Sequence, residues 1–394
     1  MSDTSMFSQE DKEKKPLVRQ RNRIKQTLDE RGMIDMPFLI LTIILVCIGI
    51  IMMFSASYAS AYSEGNASTH YFKRQVGIAL VGFLFLFFFA KIFHYGLLYT
   101  WSRMIFWVSA LLMLLVVIIG LTAGGAKRWI YLFGFNFQPS EVAKLAVIIQ
   151  FSAMLSSSKK DINDLRNLKP YIGYLAVMLG LLFLQSHLSA SIIIALVAAS
   201  LLFVGGLRMR WYIGAAALAF LAIFLYLKIR PYAGDRIDAW LNPWEDPKDK
   251  GFQIIQSLYA IGSGGLMGQG LGRSRQKYLY LPEEHNDYIF PIVCEELGFV
   301  GAVLIILLFV LLILRGYWIA IHAKDRFGAF LAGGITTLLA LQVFLNIGVV
   351  TNFLPSTGIS LPFFSYGGTA LLMQLAEMGI VLGVSRKSDS QLLS

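Results

Sequence analysis

Long apolar runs alternate along the chain with short polar segments, and this pattern predicts a membrane protein. The runs are about 18 to 25 residues long, the length at which an α-helix crosses roughly 30 Å of hydrocarbon. We place spans near residues 36–56, 75–93, 104–122, 141–156, 170–185, 188–206, 211–228, 288–314, 328–350 and 362–384. The fifth and sixth spans are separated only by the corner Gln185-Ser186-His187. The pattern therefore predicts an all-α, polytopic fold of about ten transmembrane helices.

Composition agrees with this fold and excludes other classes. Of 394 residues, 56% are hydrophobic and 15% are charged, whereas roughly a quarter of the residues of soluble proteins are charged. The net charge of +10 does not indicate nucleic acid binding, because the basic residues lie mostly in short loops beside apolar spans. Cys47 and Cys294 both fall inside predicted spans, which predicts neither a disulfide framework nor a metal cluster.

Basic residues also predict the orientation, because short loops rich in Lys and Arg remain cytoplasmic. Residues 1–35 and alternate loops are basic, so we predict a cytoplasmic tail at 1–35, a membrane domain at 36–384 and a cytoplasmic tail at 385–394. The first apolar run is interpreted as an uncleaved span. One large extracytoplasmic loop is expected at about 229–287, with short helices at the membrane interface.

Two stretches of this loop are candidates for chemistry. Its Gly-rich part leads into the basic run Arg273-Ser274-Arg275-Gln276-Lys277. Glycines let backbone approach a ligand and cations bind phosphate, but a flexible loop with a solvated basic face fits equally well. Asp287 follows at the start of the eighth span, where a helix N-cap is the structural alternative to a functional carboxylate.

Charged residues inside spans are costly and are usually paired or functional. Glu141 and Lys144 stand three residues apart, which places them on one helix face and predicts a neutralising pair. Glu377 in the last span has no local partner in the sequence. His187 has no second histidine at metal-ligand spacing and is left unassigned.

Several motifs jointly resemble the SEDS family, the RodA, FtsW and SpoVE group of bacterial peptidoglycan glycosyltransferases. The resemblance extends over nearly all of residues 36–384. The motifs are Gly125-Ala126-Lys127-Arg128-Trp129, Gln138-Pro139-Ser140-Glu141 with Lys144, Gly262-Ser263-Gly264-Gly265-Leu266, Leu281 to Phe290, Glu295-Glu296-Leu297-Gly298, Asn346 to Val350, Leu354 to Pro362 and Ser365-Tyr366-Gly367-Gly368. The basic leader and the run from Arg273 to Lys277 look more like the FtsW and SpoVE branch.

The resemblance implies an inverting glycosyltransferase that polymerises lipid II into β-1,4 glycan and releases undecaprenyl pyrophosphate, for septal or spore wall synthesis. Asp287 takes the position of the family's catalytic aspartate, and a base for the attacking hydroxyl is what the reaction needs. Substrate binding is expected at Arg128, Arg273, Arg275, Lys277 and His285. No cofactor is required by the sequence, although Mg²⁺ or Mn²⁺ would supply the same charge to the pyrophosphate. The partners implied are a class B penicillin-binding protein, division or sporulation proteins and membrane lipids.

One departure limits the transfer of residue roles. Many members have Gln-Pro-Asp where this chain has Gln185-Ser186-His187, so no role of a carboxylate at that corner is carried over. Two other functions also fit the composition. A lipid II flippase would use the buried charges for transport, and a division scaffold would use the basic leader for recruitment.

The orientation gives the first testable prediction. A phosphatase fused near residue 250 should be active, because that loop lies outside, whereas a fusion at the C-terminus should be inactive. The opposite pattern of activities would overturn both the topology and the site assignments that rest on it.

Overall fold

A computed structural model describes residues 32–123, 126–132, 135–158, 161–217, 238–249, 251–278 and 280–386. Most of the predicted N-terminal tail, most of the predicted seventh span, residues 229–237 of the predicted loop and residues 387–394 lie outside the described residues.

Helices dominate the described chain. They are α1 (Met36–Ser63), α2 (His70–Phe87, continued by a π-helical turn at Phe88–Ile92), α3 (Gly96–Ile119), α4 (Pro139–Ser157), α5 (Leu165–Leu184), α6 (Leu188–Val204), α7 (Phe252–Ser263), α8 (Ile289–Ile321), α9 (Arg326–Val350) and α10 (Gly368–Ser385). Residues 209–217 are also helical. The polytopic helical fold predicted from the sequence is therefore confirmed. Helix α7 lies within the segment predicted to form the large loop, and the placement of that loop outside the membrane stays a prediction.

Seven helices of the described chain are long and apolar enough to cross a membrane: α1, α2 with its π-helical turn, α3, α5, α8, α9 and α10. Helix α6 is apolar but has only 17 residues. Helix α4 carries two charges and packs against α3, α6 and α9, so that nearly every side chain on it is buried. A helix enclosed by other helices does not have to be apolar on all faces. The predicted count of about ten spans stays a prediction.

The last helix begins later than the sequence pattern predicts. The predicted span starts at residue 362, but α10 begins at Gly368. Phe363 has a left-handed backbone with φ of 67°, and its N–H is bonded to Gln374 Oε1 at 3.0 Å. The segment before α10 is thus a fixed turn. Because it is as apolar as the helix that follows, the sequence pattern assigns it to the span.

A three-stranded antiparallel sheet was not predicted either. It consists of β1 (Leu121–Ala123), β2 (Ala126–Leu132) and β3 (Phe135–Phe137), in the order β1-β2-β3. The sequence pattern assigns the start of this region to the end of the third span, because strands this short give little periodic signal. The sheet connects α3 to α4.

The start of α1 and the end of α10 lie next to each other. The Asp35 carboxylate caps α1 by accepting from Phe38 N–H at 3.0 Å and pairs with Arg315 at 2.8 Å. Asp35 N–H also donates to Ser385 Oγ at the end of α10, at 3.2 Å. The first and last helices therefore begin and end on the same side, which agrees with an even number of crossings.

Helix α8 is broken at Gly298, where φ is 69° and ψ is −173°. The break leaves the carbonyls of Glu295 and Glu296 without helical partners, and they accept from Gln269 and Gly270 N–H, each at 3.0 Å. A Cβ at position 298 would lie 2.2 Å from Gly268 N, so a side chain there would collide with the backbone. The Gly-rich loop is docked by main-chain hydrogen bonds that only this break makes available.

Candidate active site

Asp287 lies two residues before the first residue of α8. The cap position of that helix is Tyr288, and no side chain caps it. The N-cap interpretation of Asp287 is therefore wrong. Its carboxylate is half-buried and forms no hydrogen bond or ion pair within the described part of the chain. A carboxylate held in this way is available to a ligand.

The backbone around Asp287 is fixed from two sides. Asn346 Nδ2 donates to the carbonyls of Asp287 at 2.8 Å and of Ile359 at 2.6 Å. Ser365 Oγ donates to the Asn286 carbonyl at 2.7 Å, and Tyr366 N–H donates to the neighbouring His285 carbonyl at 2.8 Å. Helix α9 and the turn before α10 thus hold the main chain and leave the carboxylate of Asp287 unengaged. This role of Asn346 and Ser365 was not predicted, although both belong to motifs noted in the sequence.

Gly358 forms one wall beside the carboxylate. Its φ is +60°, and an added Cβ would lie 3.0 Å from Asp287 Oδ2. Any side chain here would have to adopt a strained backbone and would crowd the carboxylate. Glycine at this position keeps the space in front of Asp287 open.

The surroundings of Asp287 favour a carboxyl that gains and loses a proton near neutrality. Burial raises the pKa of the Asp287 carboxyl to about 6, repulsion from Glu283 acts in the same direction, and Arg128 opposes both. The start of a helix favours the ionised form of a carboxyl, but desolvation outweighs that effect here. A base with a pKa of about 6 is ionised at neutral pH and still accepts a proton effectively.

Arg128 stands on β2 and supplies positive charge next to Asp287. One of its terminal nitrogens donates to the Ser186 carbonyl at 3.2 Å, which ties the sheet to the corner between α5 and α6. The guanidinium acts electrostatically on Asp287 and on His187. The unpredicted sheet is therefore what brings the predicted substrate-binding residue Arg128 to the catalytic candidate.

His187 sits at the same corner in its neutral form. Its side chain is buried, and Nδ1 has no hydrogen-bond partner in the described structure. Burial lowers the pKa of His187 to about 3, with smaller contributions in the same direction from Arg128 and Lys144. This corner therefore presents an uncharged ring, and Arg128 faces no negative charge from His187.

His285 lies two residues before Asp287, between aromatic rings. Its centroid is 4.9 Å from that of Tyr71 and 5.9 Å from that of Tyr366. His285 Nδ1 is 3.5 Å from Glu284 Oε1, and the Glu284 carboxylate also accepts from Ser60 Oγ. The imidazole is held in place next to the candidate base, and its predicted contact with substrate stays a prediction.

The basic run 273–277 is organised by the two glutamates of α8. Glu295 accepts from Ser274 Oγ and from the backbone N–H groups of Arg275 at 3.0 Å and Gln276 at 3.3 Å. The side chains of Arg273 and Arg275 are exposed. Both guanidinium groups are accessible to an anion, while the backbone that carries them is rigid.

Lys277 differs from these arginines because its ammonium points inward. It is 2% exposed, pairs with Glu296 Oε1 at 2.9 Å and lies 3.2 Å from Ser55 Oγ. Glu296 stands about two turns into α8, or roughly 10 Å along the axis from its first residue. A pyrophosphate would have to compete with Glu296 for this ammonium. The glutamates were seen in the sequence as a motif, but their function in holding the loop was not predicted.

The charged residues of the bundle interior meet around α4. Lys144 Nζ is 2.7 Å from Glu141 Oε2, and both side chains are buried. Glu377 on α10 lies within electrostatic range of both. The ion pair expected from the spacing is present, and Glu377, for which the sequence offers no local partner, lies near this pair.

No group of three His, Cys, Asp or Glu side chains in the described ranges is arranged to hold a metal ion. The donor set around Asp287 does not fit a divalent cation of its own, and we derive no step through one.

Comparisons with known proteins agree on one family. A family description for cell cycle proteins, FtsW/RodA/SpoVE, matches residues 36–390. The chain is 41% identical to stage V sporulation protein E of Bacillus subtilis (strain 168) over 357 residues, which cover 90% of this chain and 97% of the relative. It is also 41% identical over 358 residues to the probable peptidoglycan glycosyltransferase FtsW of Geobacter sp. (strain M18), with the same coverage.

Two solved structures share the fold. One belongs to a peptidoglycan synthase complex described as coordinating polymerization and crosslinking, with a TM-score of 0.75 and 28% identity, covering 91% of this chain and 99% of the other. The other is the rod shape determining protein RodA of Thermus thermophilus, with a TM-score of 0.69 and 26% identity, covering 91% and 98%.

The interior pair gives the second testable prediction. Lys144→Ala should lower the folded yield and the unfolding temperature strongly, because removing one partner of a buried pair costs about 3–5 kcal/mol. Glu141→Ala should cost less, since Glu377 lies within electrostatic range of Lys144 and can ionise to balance its charge. Exchanging the two residues should restore part of the yield. Size-exclusion profiles and thermal unfolding measure both. A fully stable Glu141→Ala protein that makes no polymer would instead indicate a direct role in catalysis.

Proposed function

Since the chain belongs to the FtsW/RodA/SpoVE family of cell cycle proteins, we propose that Asp287 is the general base with which it polymerises lipid II. The protein is a membrane-embedded peptidoglycan glycosyltransferase that acts in division or sporulation. The residues around Asp287 are proposed to supply the chemistry of this reaction.

The proposed step is a single inverting displacement. A sugar hydroxyl of one substrate attacks the anomeric carbon of another, and the bond from that carbon to the pyrophosphate oxygen breaks. Undecaprenyl pyrophosphate leaves with the bonding electrons, and the hydroxyl proton passes to a base. Because the donor is α-linked, inversion produces the β-1,4 bond. The site must therefore supply one proton acceptor and positive charge for the leaving group.

The observation that carries the proposal is the unengaged carboxylate of Asp287. Its backbone is fixed by Asn346 and Ser365, while its oxygens bind nothing in the described chain. Desolvation raises its pKa to about 6, which makes it a stronger base than an exposed aspartate. Rigid backbone together with a free, desolvated carboxylate is the arrangement that general base catalysis needs.

Positive charge for the leaving group is proposed to come from arginines. Arg128 acts closest to the base, and Arg273 and Arg275 present exposed guanidinium groups on a rigid loop. Arginine binds phosphate oxygens in bidentate geometry. We assign Lys277 to holding that loop through Glu296, because its ammonium is already engaged in a buried pair.

A flippase or a scaffold would make different use of these residues. Transport requires access from both membrane faces, whereas polymerisation needs Asp287 on the outer face alone. In this proposal Glu141 and Lys144 neutralise one another beside Glu377 and keep the interior folded. Loss of polymer with retained transport of lipid II in Asp287 variants would identify two separable activities.

The third prediction concerns Asp287→Asn in purified protein. The amide keeps the size of the side chain but cannot accept a proton, so polymerisation should fall by about 10² to 10⁴. Binding of lipid II should persist. The measurement is the polymerisation of fluorescent lipid II in detergent, with substrate binding followed separately. Glu283→Gln is the matched control, because it removes an exposed carboxylate of the same loop and should keep most of the activity.

The pH dependence of polymerisation tests the same assignment of Asp287 as the base. Activity requires ionised Asp287, so kcat/KM should fall about tenfold per pH unit below about 6. The sign for stability is opposite: a raised carboxyl pKa stabilises the fold while the group is protonated, and this contribution is lost as the pH rises through about 6. At pH 8 the Asp287→Asn protein should thus unfold at the same temperature as the parent or higher. Near-parental polymerisation by this variant would show that the base is elsewhere.

The fourth prediction concerns a partner. We propose that a class B penicillin-binding protein docks its membrane helix on α8 and α9, where α8 presents an exposed apolar stripe that includes Leu304, Leu307 and Leu311. Leu307→Trp should weaken copurification about tenfold, or about 1.4 kcal/mol, through steric mismatch. Leu111→Trp on α3 is the control, since Leu111 is equally exposed on another helix. Equal effects of the two changes, or no complex with any class B enzyme, would contradict the proposal.

A further inference from the structure

A cavity of about 190 Å³ lies at the end of the bundle opposite Asp287. It is bounded by the C-terminal ends of α4 and α6 and by the N-terminal ends of α5 and α9. Its lining consists of Leu155, Ser158, Ile162, Asn167, Tyr171, Gly205 and Arg326. Helix α9 runs from Arg326 to Val350, roughly 37 Å at 1.5 Å per residue, and Asn346 near its far end holds the Asp287 backbone. The cavity is therefore separate from the proposed active site.

Two hydrogen-bond donors of this cavity have no partner within the described ranges. Tyr171 is 4% exposed, and its hydroxyl forms no hydrogen bond there, although its ring packs edge-on against Phe151. Arg326 is exposed at the mouth and forms no ion pair with another described residue. The Tyr171 hydroxyl is not sealed from solvent but lines the cavity, where it can donate to a ligand that accepts hydrogen bonds.

The nearby carboxylates are committed to other groups. Asp325 caps α9 through Gly328 N–H at 2.8 Å and accepts from the Tyr95 hydroxyl. Asp164 accepts from Arg166 N–H at 3.0 Å at the start of α5, and Asp161 accepts from Asn163 at 2.8 and 2.9 Å. No carboxylate lines the cavity among the described residues. Its chemistry favours an anion.

We propose that this cavity binds a phosphate group, with Arg326 contacting the charge and the Tyr171 hydroxyl donating to a phosphate oxygen. Phosphate oxygens accept several hydrogen bonds, and a guanidinium matches their geometry. The volume suits a phosphate with a short polar substituent such as glycerol. The site is independent of the polymerisation step.

The position of the cavity selects the headgroup of an anionic phospholipid over a free phosphate ester. Helices α5 and α9 are long and apolar enough to cross a membrane, so their ends at this cavity are expected at the depth where headgroup phosphates meet water. Further exposed cations surround this end, namely Arg166, Lys169, Arg208 and Lys324. Basic residues at a membrane surface attract anionic lipid and so raise its concentration beside the cavity. The bound lipid would join α4, α5, α6 and α9 at this face.

The fifth prediction tests this site by native mass spectrometry of the full-length protein with phosphatidylglycerol and with phosphatidylcholine. Phosphatidylglycerol should bind preferentially, Arg326→Gln should weaken it about tenfold, and Tyr171→Phe about threefold. Lys169→Gln is the matched control, because it removes one exposed charge from the same end outside the cavity, and it should change binding less than about twofold.

A competition experiment with a soluble phosphate ester identifies the source of the phosphate. If millimolar glycerol phosphate binds the parent protein and not Arg326→Gln, and displaces phosphatidylglycerol, the ligand class is supported and the natural ligand is a free phosphate ester. If it does not compete, the lipid headgroup is the ligand. Equal losses in Arg326→Gln and Lys169→Gln, or no effect of Tyr171→Phe and Arg326→Gln, would show diffuse charge attraction and overturn the proposal.

Discussion

The break of α8 at Gly298 is the constraint on which the end of the bundle that carries Asp287 depends. It frees two carbonyls that dock the Gly-rich loop, and the glutamate side chains of the same residues hold the basic run that comes next in the chain. If α8 continued unbroken through Gly298, neither the carbonyl contacts nor the side-chain contacts would form. Because unpaired backbone groups are costly in a membrane, these hydrogen bonds fix the backbone of the loop that carries the two exposed arginines.

Electrostatic interactions connect the candidate active site to the interior of the bundle. Asp287 responds to Arg128, His187 responds to Arg128 and Lys144, and Lys144 pairs with Glu141 near Glu377. The neutral state of His187 matters in this series, because a charged imidazole would add a second cation beside Arg128. At one end of this series of interacting residues, the Asp287 carboxylate is accessible and has no ion-pair partner in the described chain. At the other end, Glu141 and Lys144 neutralise each other. This division favours catalysis at the surface and structural neutralisation inside.

The catalytic proposal and the stability of the fold make opposite demands on Asp287. Removing the carboxylate from water raises its pKa and makes its ionised form costly. Asn346 and Ser365 offset the problem by binding the backbone alone, so the side chain remains free. A hydrogen bond to the carboxylate would have stabilised the loop and weakened the base.

Residue order alone determined the helical membrane fold, the family and the candidate base, because long apolar runs and contiguous motifs are local properties of a chain. It also gave the spacing that pairs Glu141 with Lys144. Tertiary structure decided the rest: the sheet that carries Arg128 to Asp287, the inward turn of Lys277 onto Glu296 and the position of Glu377 beside the Glu141–Lys144 pair. These depend on contacts between residues far apart in sequence. They are governed by burial and by the satisfaction of polar groups in a low-dielectric interior, which no local pattern encodes.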